Sequence, residues 1–134
     1  MINNPLNAKP DVDRIIANHV KNRGGNAEAL KAVLATYIKK GFSLYPYHEV
    51  IIAYGKIPEG ILMGIINGGS QKMYLRALNN FVKTMREKGI ATLFMYVSEP
   101  DKAKKIAYAS GVDNVSFTED SSKTTDPYLM RMEI

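Results

Sequence analysis

A chain of 134 residues, 46% hydrophobic and 23% charged, is long enough for one domain with a real core and too apolar to stay disordered. It has no cysteine, which excludes disulfides, thiolate nucleophiles and cysteine-ligated metals, and no apolar run approaches a membrane span. The net charge of +5 is uneven: Gly68 to Val112 carries a local +5, Asp113 to Ile134 a local −3.

The first ten residues read as an arm, with Asn, Pro and Lys around two isolated apolar anchors, Ile2 and Leu6. They show neither helical nor strand period, and the polar start does not read as a signal peptide. One domain is expected over 11–134. Its first helix is predicted from Asp11 to Asn22, with Asp11 and Asp13 at the positive end and Val12, Ile15, Ile16 and Val20 on one face. Arg23-Gly24-Gly25 ends it. Asn26 caps a second helix, whose stripe of Leu30, Val33, Leu34, Tyr37 and Ile38 reads as core before Gly41. After a bend at Tyr45-Pro46, His48 to Tyr54 is predicted as a strand. Gly55 to Gly60 then reads as a turn and Ile61 to Ile66 as the return strand.

Ser70 is the predicted cap of a third helix, in which Tyr74, Leu75, Leu78, Phe81, Val82 and Met85 keep helical spacing up to Gly89. Ile90 to Val97 is nearly continuous in apolar residues, as in a strand covered on both faces. Ser98-Glu99-Pro100-Asp101 has the form of a capping box, opening a short helix that ends at Gly111. Asn114 to Thr118 reads as a strand and Glu119 to Asp126 as a polar loop. Tyr128, Met130, Met132 and Ile134 alternate along a last strand. A strand–helix–strand unit followed by a hairpin predicts an α/β fold with a mixed sheet and helices on both faces.

From Glu49 to Ile134 this order of elements resembles the GCN5-related N-acetyltransferase superfamily. Ala103 and Gly111 on the fourth helix and the ending Tyr128-Leu129-Met130-Arg131-Met132-Glu133-Ile134 carry the likeness. The resemblance implies a central mixed sheet, acetyl-CoA as cofactor, a glycine loop for its pyrophosphate and a tyrosine acid on the fourth helix. Where the family keeps its loop residues, this chain has Ser70, Met73 and Leu75. Backbone N–H groups cradle a phosphate only where side chains leave room, so such loops use glycine. Where the family has its tyrosine stands Ala107, with Tyr108 one residue along. The chain is also similar to acetyltransferase-like internal virion proteins of short-tailed bacteriophages. Lys72 to Lys88, Met95-Tyr96-Val97, Asp101 to Gly111 and the segment from Glu119 onward carry that second likeness.

Three functions follow as expectations. In the first, the chain is a non-catalytic structural or assembly protein without cofactor, virion-associated or cytoplasmic, meeting protein neighbours through Ile2 and Leu6. The second is an N-acyltransferase holding acetyl-CoA on an altered loop of Gly68, Gly69, Ser70, Gln71 and Lys72, with Tyr108 as acid and Glu49 as a base acting through water. The third, not favoured, is a basic accessory protein of nucleic acid, since no aromatic-interleaved basic stripe is present. His19 and His48 lack the acidic spacing of a metal site.

Overall fold

The computed structural model describes residues 11–123 and 125–134, so the arm expected over residues 1–10, with Ile2 and Leu6, lies outside them. The elements run α1 (Val12–Arg23), α2 (Ala27–Lys39), β1 (Ser43–Tyr47), β2 (Val50–Ile57), β3 (Gly60–Asn67), α3 (Gln71–Glu87), β4 (Thr92–Val97), α4 (Pro100–Ala109), β5 (Asn114–Glu119) and β6 (Tyr128–Glu133). Six strands form one mixed sheet in the order β1-β2-β3-β4-β6-β5. Among the described residues only β3 and β4 pair in parallel, as the helix between them requires.

Helix starts follow local chemistry. The side chains of Asp11, Asn26 and Ser70 accept the N–H of Arg14, Ala29 and Met73, each supplying a partner to an amide the helix leaves unpaired. At Glu99 the cap is extended backbone with Pro100 behind it and no side-chain bond, so the capping box read there does not form.

The alternation of strand residues sorts the core into two layers. Ile51, Ala53 and Ile66 face α1 and α2, where they pack with Ile15, Ile16 and Leu34. Val50, Ile52, Met63, Leu93, Met95, Met130 and Met132 face α3 and α4, around Leu78, Phe81, Val82, Met85, Ala103 and Ala107. Helices thus cover both faces. The face of β4 that α1 and α2 do not reach is covered by cations instead. The Arg131 guanidinium lies 5.7 Å from the Phe94 ring centre and Lys123 Nζ 4.7 Å from that of Tyr96.

Three expectations are corrected. The bend at Tyr45-Pro46 is part of β1, because an edge strand tolerates a proline whose missing N–H has no ladder to join. Gly55, read as a turn, lies inside β2, where a Cβ would stand 2.4 Å from the Phe42 ring; the turn is Pro58-Glu59 alone. His48 and Glu49, read as the start of a strand, form the β1–β2 turn, with His48 at φ 52°. The α2 stripe is also less buried than its pattern implied: Leu34 is core, whereas Val33 is 50% and Ile38 48% exposed.

Phe81 centres the larger layer, fully buried with the rings of Tyr45 and Tyr54 edge-on at 5.2 and 5.3 Å. Phe81→Ala is expected to cost about 3–5 kcal/mol, the range for truncating a buried aromatic. It should appear as a lower urea midpoint at unchanged slope. Val33→Ala, at a half-exposed position, should stay within about 0.5 kcal/mol.

Candidate functional site

The parallel pair is short. Its register covers only Ile61↔Leu93, Leu62↔Phe94 and Met63↔Met95, although β3 runs on to Asn67 and β4 to Val97. On their outer sides both strands stay paired to the end, β3 with β2 as far as Val50↔Asn67 and β4 with β6 as far as Val97↔Tyr128. The sheet therefore parts between them and leaves a wedge of about 470 Å³. Leu30, Val33 and Tyr37 of α2 flank it on one face, and Tyr74 of α3 and Ile106 of α4 on the other. Its walls are mostly apolar, and Arg23, Gln71, Lys102, Glu99 and Asp126 stand among the lining residues.

One bank of the wedge ends in the corner from β3 into α3, and three of the amides there are already engaged. The Gly68 N–H donates to the Glu49 carbonyl at 2.8 Å, that of Gly69 to Asn67 Oδ1 at 2.9 Å and that of Met73 to Ser70 Oγ at 3.1 Å. A Cβ on Gly68 would lie 2.8 Å from the Ile15 carbonyl oxygen, and one on Gly69 3.1 Å from the Glu49 Cβ. These glycines let the corner press against α1 and the β1–β2 turn. Lys72 is exposed, and Met73 packs against the α3 core layer.

Helix α1 completes the corner. Asn67 is 1% exposed; its carbonyl accepts Arg23 at 2.9 Å, and Arg23 also donates to the Gly69 carbonyl at 3.2 Å. The Asn67 N–H donates to His19 Nδ1 at 3.0 Å. Burial holds the His19 pKa below its ordinary value, and the Arg23 charge adds to that. The Tyr74 phenol is raised by burial, against the pull of Arg23, so it remains a neutral donor. In the sequence Arg23 reads only as a helix end and Tyr74 only as a core residue, and the predicted strand stops at Ile66, one residue before Asn67. The one signal in the sequence was a polar Asn closing an apolar strand ahead of Gly68-Gly69.

The residues considered for acid–base chemistry do not converge. Tyr108 is 72% exposed, in an outer recess with Lys104, Lys105 and Asp113, while Ala103 and Ile106 of the same helix line the wedge. Glu49 lies in the β1–β2 turn, bonded to Arg14. Among the described residues no cluster of His, Asp and Glu is arranged to hold a metal, and no helix is long and apolar enough to cross a membrane. Of the basic helix residues, Arg86 donates to the carbonyls of Gly111 and Ile134, and Lys102 pairs with Glu99 at 3.9 Å. Lys72, Arg76, Lys83, Lys104 and Lys105 are exposed. Comparison with protein-family models, curated proteins and solved structures found no match.

The corner carries a pH dependence. With the folded pKa of His19 below the ordinary value near 6.5, the unfolded chain takes up the proton first as pH falls. The stabilisation is full above that value and is lost as pH falls through the folded pKa. Thermal melts from about pH 7.5 to 5.5 should show this loss in the parent protein. In His19→Gln, which keeps an acceptor but does not titrate, the slope over that window should be smaller.

Proposed function

We infer that the chain is a non-catalytic protein of acetyltransferase-like fold that serves as a structural or assembly component, of the kind found among internal virion proteins of short-tailed bacteriophages. The observation that carries this reading is the closed β3–α3 corner. Three amides at the place where a nucleotide cofactor's pyrophosphate would sit are engaged by Asn67, Glu49 and Ser70. The glycines that an altered loop would use are packed against α1 and the β1–β2 turn. The order of elements, with β6 lying between β4 and β5, supports the acetyltransferase-like part of the reading. Protein neighbours would be met through the arm carrying Ile2 and Leu6.

The wedge favours a second reading, an N-acyltransferase that lays an acyl carrier between β3 and β4 and holds its phosphates by Gly68 to Lys72. Glu49 and Tyr108 would then be its base and acid, and both would have to move from the positions described above. Fold alone does not choose between these readings.

Calorimetry with acetyl-CoA and CoA tests them. No saturable heat is expected up to about 1 mM ligand, a concentration corresponding to roughly −4 kcal/mol. Low-micromolar binding to the unaltered protein overturns the non-catalytic reading. Acetyl transfer that is lost in Tyr108→Phe then establishes the enzyme.

A further inference from the structure

Resting on the reading that the wedge holds no nucleotide cofactor, its shape and charges still describe a ligand. Each wall is a strand that keeps a partner on its outer side and loses its ladder toward the opening, over Gly64–Asn67 on one side and Tyr96–Val97 on the other. Two unpaired strand edges facing one another are a template for an added extended chain. The apolar lining that is not itself core, Leu30, Val33 and Tyr37 on one face and Ile65 and Ile106 on the other, suits apolar side chains on it.

The charges fix its direction and its ends. Glu99 and Lys102 pair with each other at 3.9 Å. That leaves Arg23 on the β3 bank and Asp126, just before β6, on the β4 bank, neither with an ion-pair partner among the described residues. Arg23 gives one N–H each to the Asn67 and Gly69 carbonyls and keeps its other N–H groups for a carboxylate. Tyr74, whose phenol feels the Arg23 charge, and Gln71 also line the wedge. A carboxylate set among a guanidinium and a phenol gains charge-assisted hydrogen bonds. Asp126 asks for a cation on the same ligand. A fatty acid satisfies the first requirement only, and the phosphates of a nucleotide meet a turn whose Gly68, Gly69 and Met73 amides are taken.

We propose that the parting of β3 and β4 is a docking site for the carboxyl-terminal segment of a partner protein. The segment is apolar, enters as an extended strand, and sets its terminal carboxylate at Arg23, Tyr74 and Gln71 and a basic side chain at Asp126. A wedge of about 470 Å³ lies within the range of sites that hold ligands of this size. The site gives the assembly reading a partner chemistry in place of a cofactor.

Gly64 supplies a clean block. It lines the wedge and, lying between Met63 and Ile65 of the α3 layer, points to the α2 face. A Cβ built on it meets nothing within 4 Å, so a larger side chain enters the opening on that face. The probe is an array of hexapeptides with free carboxyl termini, combining Val, Leu, Phe, Lys and Glu at the last four positions, with the amidated set alongside. The full-length protein is expected to retain peptides that carry Lys with apolar neighbours, and amidation should weaken them about tenfold. Gly64→Phe should abolish retention at an unchanged melting temperature. Asp126→Lys should move the preference from Lys to Glu, an exchange that loss of structure cannot produce. Retention of no peptide, equal retention of the amidated set, or binding that survives Gly64→Phe overturns the proposal. So does displacement of the peptides by laurate or acetyl-CoA at lower concentration. Failure on the array while acetyl-CoA gives no heat removes this site alone, whereas acetyl-CoA binding removes the non-catalytic reading beneath it.

Discussion

Asn67 is the constraint on which the rest of the molecule depends. It is the last residue of β3 and nearly without solvent contact, yet its backbone has no β4 partner because the strands have already parted. A buried strand end of this kind must find other partners or cost several kcal/mol. Its N–H finds His19 and its carbonyl finds Arg23, so α1 is held across the end of the sheet. Its side chain reaches the Gly69 N–H and the Ser70 carbonyl, so the same residue sets the start of α3. The two core layers share few side chains, and this corner is where α1 of one layer and α3 of the other are tied to a single strand end.

The corner and the wedge imply one another. If β4 ran alongside β3 to its end, the strand would be paired on both sides and Asn67 would need neither His19 nor Arg23. Because the strands part, α1 has to supply the missing partners, and the hydrogen bonds that do so occupy the turn leading into α3. Asn67, held in this way, gives its side-chain oxygen to the Gly69 N–H, while Glu49 and Ser70 take the Gly68 and Met73 amides that an anion would otherwise use.

The elements whose pattern is strongly periodic were legible in the sequence. The α3 stripe from Leu78 to Met85 and the apolar run of β4 have one physical reading each, and both lie where that reading puts them. The mixed sheet followed from the helix between β3 and β4 and the hairpin after α4. The errors fell where tertiary packing overrode a local signal. Pro46 and Gly55 are turn residues by composition, but one sits on an edge and the other under the Phe42 ring. No local rule contains either fact. Val33 and Ile38 keep the spacing of a core stripe, yet α2 turns them to the flank, because a spacing fixes which residues share a face and not how wide the covered face is.

The candidate site was less legible, for a reason of the same kind. Sequence spacing located the β3–α3 turn and cast doubt on phosphate binding from Met73 and Leu75, side chains at the start of α3. What holds Asn67 in place to engage the turn is contributed by His19 and Arg23, more than forty residues earlier, and such pairings leave no trace in spacing. The wedge was hidden for the opposite reason. Nothing in Gly60–Asn67 or Thr92–Val97 marks the residue at which pairing stops, since both runs are apolar beyond it. An apolar strand that continues past its last ladder partner has side chains suited to burial and a backbone without a neighbour. In this protein one residue of that stretch, Asn67, is secured by α1, while Gly64, Tyr96 and Val97 border the open wedge. The fold thus stabilises the end of the parted strand and leaves its middle without a ladder partner, which is the physical condition for receiving another chain there.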